Sequence, residues 1–135
     1  MGKKKIPFTQ IIALDENPNL IKKLKFRFAR HKSITIIQNN ILNSNLKPDS
    51  VNKIVTDPPW GYFAKQNMNL FNFYQKMLTV FWSLLKRNGI LVLLIGNRDL
   101  FDKLLLQFQN QYQLLNQYNI LVSGKKASVY KLKKI

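Results

Sequence analysis

The sequence has no cysteine, one histidine and only six acidic residues in 135 positions. Without cysteine, disulfides, thiolate metal sites and cysteine nucleophiles are excluded, and the composition fits a reducing, cytoplasmic location. The single histidine, His31, excludes a metal site built from several imidazoles, and we expect no metal. No apolar run reaches the roughly 18–20 residues of a membrane helix, so we expect no membrane partner.

Positive charge dominates what is present. Lys and Arg number 22, which leaves a net charge of +16, and 46% of the residues are hydrophobic, enough for the core of one folded domain. Such an excess of charge on a small domain favours a polyanionic partner, because Lys and Arg release counterions when they neutralise phosphates. We therefore expect a nucleic acid; lysine that only keeps the chain soluble is the alternative.

Short β-branched runs alternate with longer amphipathic runs, a pattern typical of a layered α/β fold. Strands are predicted at 11–14, 34–38, 51–56, 90–95, 119–122 and 127–132, and helices at 18–31, 68–86 and 99–109. The segment Ser123–Lys126 is a hairpin signal, so we expect a mostly parallel sheet with an antiparallel C-terminal hairpin. The stripe of the second helix places Trp82 in the core, Gly96 is interpreted as part of a plain turn, and the terminal lysines, including Lys134, are expected to be mobile.

The most informative segment directly follows the strand predicted at 51–56. We call it the DPPW loop, and its members are Asp57, Pro58, Pro59 and Trp60. Open α/β sheets place their ligand sites at this end of a strand. Two successive prolines remove two N–H donors, so the loop presents a carboxylate and carbonyl oxygens, which suit an amino group that must give up hydrogen bonds.

An exocyclic amine of a nucleobase is a weak nucleophile, because its lone pair is delocalised into the ring. Asp57 and the Pro58 carbonyl can accept its two hydrogens and direct the lone pair at an electrophile. Trp60 adds a π-face on which an unpaired base can stack, worth about 1–3 kcal/mol. A rigid turn with a buried tryptophan is the alternative interpretation.

The DPPW loop resembles motif IV of the amino-group methyltransferases, S-adenosylmethionine enzymes that act on adenine N6 or guanine N2. Residues 13–18 resemble the second strand of that family, whose acidic end binds the cofactor ribose. The resemblance implies that Asp15 has this role, and a carboxylate can accept from both ribose hydroxyls. It also implies that Asp57 lies at the cofactor as well as at the target amine.

Residues 34–41 resemble the third strand of the family, which implies that Asn40 and Ile41 contribute to the cofactor site. Asn40 stands where the family usually has an acid. An amide can still accept from the adenine amine and donate to the adjacent ring nitrogen. We therefore expect Asp15 and Asn40 at neighbouring strand ends.

Residues 91–99 and 119–132 are similar to the last strands of the THUMP-associated RNA guanine-N2 methyltransferases. The resemblance implies a Rossmann-like class I methyltransferase sheet and the methylation of guanine N2 in tRNA or rRNA. We expect Trp60, Gly61 and Tyr62 to contact the substrate base, and core packing is the alternative for Tyr62. The methyl group would pass directly from the sulfonium to the amine.

The resemblance covers about residues 11–133, and the family's first strand and glycine-rich loop have no counterpart before residue 11. We expect a basic segment at 1–10 and a partial methyltransferase domain at 11–135, which binds S-adenosylmethionine weakly alone. A second polypeptide that supplies the missing strand and loop is left open as a partner. Two alternatives stay open. One is a non-catalytic RNA-binding subunit or half of a split methyltransferase. The other is a DNA adenine-N6 methyltransferase, which shares the loop but not the hairpin.

Overall fold

The structure, a computed structural model, describes residues 8–61 and 69–135, and the chain divides into two compact units, Met1–Ser44 and Asn45–Ile135. Each unit contains its own sheet. The elements in chain order are β1 (Ile11–Asp15), α1 (Pro18–Arg27), β2 (Ile34–Gln38), a short 3₁₀ helix (Ile41–Asn43), β3 (Val51–Thr56), α2 (Leu70–Leu84), β4 (Leu85–Ile95), α3 (Arg98–Leu106), β5 (Tyr112–Val122) and β6 (Lys125–Lys134). No helix in the described ranges is long and apolar enough to cross a membrane.

The first unit is a β-α-β arrangement in which β1 and β2 pair in parallel. Helix α1 starts at Pro18, because the Asn17 side chain accepts hydrogen bonds from the first backbone N–H groups of the helix. The helix ends at Arg27, four residues earlier than predicted. After Phe28 the N–H groups of Ala29 and His31 pair with carbonyls three residues back, which tightens the chain into turns.

The second unit contains a mixed sheet with the strand order β3-β4-β6-β5. Strands β3 and β4 are parallel, whereas β4–β6 and β6–β5 are antiparallel. The predicted C-terminal hairpin is present, and its turn is formed by Ser123 and Gly124, with φ of 48° and 78°. Two successive left-handed residues match the twist of the flanking strands. Lys125 and Lys126, expected in the turn, belong to β6.

The boundary between α2 and β4 differs from the prediction. The helix stops at Leu84, and Asn88 and Gly89, expected to stop it, lie inside β4 at an irregularity of the pairing with β3. Asn88 has a φ of 64°, and a Cβ on Gly89 would lie 2.7 Å from the Lys86 carbonyl oxygen. These residues therefore bulge a strand rather than end a helix.

Helix α2 buries its predicted apolar stripe, including Tyr74, Met77 and Phe81, but Trp82 is not part of the core. Trp82 is 37% exposed, and the Lys134 ammonium lies 4.3 Å from its ring centroid. Lys134 is only 7% exposed and donates to the Asp49 carboxylate at 2.9 Å and to the Leu85 carbonyl at 2.7 Å. The expectation of a mobile Lys134 is therefore wrong, because three partners fix its ammonium.

Candidate active site

In the first unit, β1 and β2 end side by side and bring Asp15 and Asn40 to neighbouring strand ends, as predicted. Asp15 lies opposite Gln38 in the ladder, and the Asn39 N–H donates to the Asp15 carbonyl oxygen at 3.0 Å. The Asp15 carboxylate is half-buried and accepts from the Asn17 N–H at 2.8 Å. This bond holds the carboxylate beside the start of α1.

Asn40 caps the short 3₁₀ helix that contains Ile41. Its Oδ1 accepts from the Leu42 N–H at 2.9 Å. Because the oxygen faces the backbone, the amide nitrogen is the group that the side chain can best present to a ligand. The geometry thus favours donation to a ring nitrogen over the accepting role. Ile41 is half-buried in the same turn.

In the second unit, the DPPW loop follows β3, as the sequence predicted. The Trp60 Nε1–H donates to the Asp57 Oδ1 at 2.9 Å. Asp57 is exposed, Pro58 is buried and Trp60 is half-buried. The carboxylate and the indole therefore act as one hydrogen-bonded pair, and the second carboxylate oxygen can accept a further hydrogen.

The other proline of the loop is held by α2. The buried Tyr74 hydroxyl donates to the Pro59 carbonyl oxygen at 2.6 Å. Burial and, to a smaller extent, the negative charge of Asp57 raise the pKa of Tyr74 to about 12, so the hydroxyl stays protonated at neutral pH. Tyr74 therefore anchors the Pro59 carbonyl, and with it this part of the loop, to α2.

Gly61 turns the chain after the loop. Its φ is 88°, in the left-handed region that favours glycine, and a Cβ there would lie 3.1 Å from the Leu70 side chain. The predicted contact of Gly61 with substrate stays a prediction. Tyr62, the remaining predicted substrate residue, lies outside the described residues.

Sequence reasoning missed two residues that touch the loop, Tyr74 and Gly96. A Cβ on Gly96 would lie 2.5 Å from the Trp60 ring, so the glycine is more than the predicted plain turn. The signal for Tyr74 was a hydroxyl within an otherwise apolar helical stripe, because such a group needs a partner when buried. The signal for Gly96 was a glycine directly after a central strand.

The site residues fall into two sets. Asp15, Asn40 and Ile41 belong to the first unit, and Asp57 to Gly61 belong to the second. Within the described ranges, no group of three or more His, Asp or Glu side chains is placed to hold a metal ion. Amide, carboxylate and indole groups of this kind suit an organic ligand.

A family model matches residues 2–126, and the family is UPF0020, described as RMKL-like, methyltransferase domain. The chain belongs to this family of methyltransferase domains. The predicted resemblance to RNA methyltransferases is therefore confirmed at the level of the family. A comparison with curated proteins gives no match.

Several solved structures share the fold of the chain. TrmN from Thermus thermophilus has a TM-score of 0.79 and 19% identity over 96% of this chain and 37% of that chain. NodS from Bradyrhizobium japonicum WM9, in complex with S-adenosyl-L-homocysteine, has a TM-score of 0.71 and 11% identity over 93% of this chain and 66% of that chain. An rRNA methylase from Streptococcus thermophilus has a TM-score of 0.63 and 12% identity over 93% of this chain and 74% of that chain. These likenesses confirm the predicted Rossmann-like methyltransferase fold, and the chain spans about a third of the length of TrmN.

Proposed function

We propose that the chain transfers a methyl group from S-adenosylmethionine to an exocyclic amino group of a nucleobase in RNA. The observation that carries this proposal is the hydrogen-bonded pair of Asp57 and Trp60, placed after β3 in a methyltransferase domain. A carboxylate beside a proline carbonyl accepts amine hydrogens, and the adjoining indole stacks on the base that carries the amine. These functions require the residue types that the loop provides.

The DPPW loop acts mainly through position and electrostatics. S-adenosylmethionine, when bound, supplies a methyl group on a good leaving group, so a covalent enzyme intermediate is not needed. Asp57 and the Pro58 carbonyl accept the two hydrogens of the amine and orient its lone pair. Trp60 holds the base, and its bond to Asp57 fixes the carboxylate. The proton leaves to Asp57 or to water after the transfer.

The residues at the ends of β1 and β2 fit a nucleoside ligand. Asp15 is a half-buried carboxylate that can accept from two vicinal hydroxyls, and Asn40 presents an amide to a ring nitrogen. In the proposed function, Asp15, Asn40 and Ile41 hold the ribose and adenine of the cofactor, and Asp57 acts on the amine that receives the methyl group. The domain bounds 11–135 and a cytoplasmic location stay predictions.

RNA is the proposed partner, and guanine N2 of tRNA or rRNA is the proposed target. The name of the rRNA methylase among the structural neighbours supports RNA, and the hairpin that resembles the guanine-N2 enzymes supports the target atom. Helix α1 and the turns after it add a surface for phosphates. We call it the α1 basic surface, and its exposed members are Lys22, Lys23, Lys25, Arg27, Arg30 and Lys32. Phe26 lies among them and is 88% exposed, which suits contact with a base.

A second candidate is half of a split methyltransferase or an RNA-binding subunit, completed by a second polypeptide. Within the described ranges, β1 and β2 in the first unit and β3 and β5 in the second pair on one side only, and such edges favour it. In the described part of the chain, β1 pairs only with β2 and β3 only with β4. Val55 in β3 is 78% exposed, so an apolar position on one face of this strand is also left uncovered. An added strand would pair with such edges.

Replacement of Asp57 by Asn tests the proposed reaction. The change keeps the shape but removes the charge, so we expect transfer of labelled methyl groups to unmodified tRNA and rRNA to fall on the order of 10²-fold, the loss typical of a misaligned or missing catalytic group. Nucleoside analysis of the wild-type product identifies the methylated atom. Asp99→Asn, an exposed acid on α3, is the matched control and should keep wild-type turnover.

Wild-type turnover of the Asp57→Asn variant would show that this loop does not carry the reaction. Labelled N6-methyladenosine in place of N2-methylguanosine would show that the target atom is adenine N6 and not guanine N2. If transfer appears only after a second polypeptide is added, the split-enzyme candidate is favoured over the chain acting alone.

A further inference from the structure

We propose that Gly96 is a positioning residue, which sets the orientation of the Trp60 indole and, through it, of the Asp57 carboxylate. The consequence for catalysis rests on the proposed function, whereas the packing of the ring on the glycine does not. Gly96 directly follows β4, and the residues concerned all belong to the second unit.

The distances place the Gly96 backbone over a face of the indole. A Cβ added at Gly96 would lie 2.5 Å from both Cδ2 and Cε3 of Trp60 and 2.8 Å from Cγ. If this Cβ lay in the plane of the indole, beside the Cδ2–Cε3 bond and equally far from both atoms, it would be closer to Cγ than to Cδ2 or Cε3. Because Cγ is the most distant of the three, the point lies above the ring face, and the Gly96 backbone covers this part of the indole.

Glycine is needed at this position for its missing side chain. The glycines with positive φ in the described ranges are Gly61 and Gly124, so the backbone of Gly96 has a conformation that other residues also adopt. Its place is fixed on both sides. Ile95 pairs with Ser128 in β6, and Asn97 caps α3 by accepting from the Leu100 N–H at 3.3 Å. A side chain at position 96 must therefore displace the indole, since the backbone is held at both sides.

A displaced Trp60 ring would also disturb the Asp57 carboxylate, because one hydrogen bond joins the two side chains. The Trp60 Nε1–H holds the Asp57 Oδ1 at 2.9 Å, and Tyr74 separately holds the Pro59 carbonyl. A shifted indole thus loses its bond to Asp57 while the proline part of the loop stays anchored to α2. Substrate turnover should suffer more than cofactor binding.

Fluorescence of the full chain in a Trp82→Phe background tests the geometry, because the chain has two tryptophans and only Trp60 then remains. We expect Gly96→Ala to shift the Trp60 emission to longer wavelength and to increase its quenching by acrylamide severalfold, with unchanged far-ultraviolet circular dichroism. In enzyme assays, kcat should fall on the order of 10²-fold, as for groups misplaced by about 1 Å, with the KM for S-adenosylmethionine unchanged.

A suppressor variant separates ring packing from general damage. In a Trp60→Ala background, which vacates the space of the ring, the addition of Gly96→Ala should cost no further stability. If Gly96→Ala alone does not fold, recovery of folding in the double variant supports the proposal, and failure to recover overturns it.

Unchanged emission and quenching in Gly96→Ala would also overturn the proposal, whatever the activity. Absence of methyl transfer in the wild-type chain would instead count against the proposed function, and the fluorescence result would still decide the role of Gly96.

Discussion

At the residue scale, the chemistry of the DPPW loop depends on which hydrogen bonds are already made. One oxygen of the Asp57 carboxylate accepts a hydrogen bond from the Trp60 indole, and the Pro59 carbonyl accepts one from the Tyr74 hydroxyl. In the proposed function, the second oxygen of Asp57 and the Pro58 carbonyl accept the two hydrogens of the amine. Tyr74 holds the loop through Pro59, and the proposed function gives it no contact with the substrate.

Replacement of Tyr74 by Phe should lower the free energy of unfolding at neutral pH. The change removes the donor to the Pro59 carbonyl, and a hydrogen bond of this kind contributes about 1 kcal/mol. Urea unfolding at pH 7 measures the loss. Tyr118→Phe on β5 removes an exposed hydroxyl and is the matched control, for which we expect no comparable change.

The stability of the Tyr74→Phe variant should depend on pH differently from the stability of the wild-type chain. The pKa of Tyr74 is raised from 10 to about 12 in the folded chain, so the folded state favours the protonated phenol. Its contribution to stability is complete below pH 10 and is lost as the pH rises through 12. Wild-type stability should therefore fall more steeply between pH 10 and 12 than that of Tyr74→Phe. Equal slopes would contradict the burial of this hydroxyl.

At the scale of elements, the C-terminal end of β6 is anchored by Lys134, whose ammonium bonds to Asp49 and to the Leu85 carbonyl and lies over Trp82. Lys134→Met keeps the length of the side chain but leaves the buried Leu85 carbonyl without this donor. We expect a loss of about 1–3 kcal/mol in the free energy of unfolding. The Asp49 contact adds little, because its carboxylate is 70% exposed.

Lys131→Met is the control on the same strand. Lys131 is exposed, and a surface substitution of this type changes stability by no more than about 0.5 kcal/mol. Thermal unfolding of the two variants side by side measures the difference. Equal stabilities would show that the buried ammonium is worth no more than a surface charge.

Strands and helices were predictable where one local signal dominates. The Asn17-Pro18 cap fixes the start of α1, and the apolar run 90–95 and the Ser123-Gly124 turn fix a strand and a hairpin. The boundary between α2 and β4 was not predictable, because Asn88 and Gly89 signal a helix stop and a strand bulge equally well. Lys134 and Trp82 depend on each other across the fold, which a local pattern does not contain.

The candidate site was predictable in part for the same reason. The DPPW loop is contiguous, so its position after β3 followed from the sequence, and so did the neighbouring ends of β1 and β2. Tyr74 and Gly96 approach the loop from other elements, and their contacts with Pro59 and Trp60 arise only from tertiary packing. Sequence periodicity assigns such residues to a stripe or a turn and cannot show what they touch.

At the scale of the whole molecule, the net charge of +16 predicts RNA binding that weakens steeply with salt. Each phosphate contact that is lost should lower the slope of log K against log salt by roughly one. Replacing Lys22 and Lys25 of the α1 basic surface by Gln should therefore weaken binding and flatten the slope. Replacing the exposed Lys126 and Lys131 removes equal charge from β6 and is the control.

Phe26→Ala separates base contact from charge on the same surface. The ring is 88% exposed and carries no charge, so its removal should weaken RNA binding without changing the salt slope. Filter binding to unmodified tRNA across a salt series measures both quantities. If the α1 and β6 lysine pairs have equal effects, the affinity for RNA depends on net charge alone and not on the α1 basic surface. An affinity that is constant from low to physiological salt would exclude RNA as the partner.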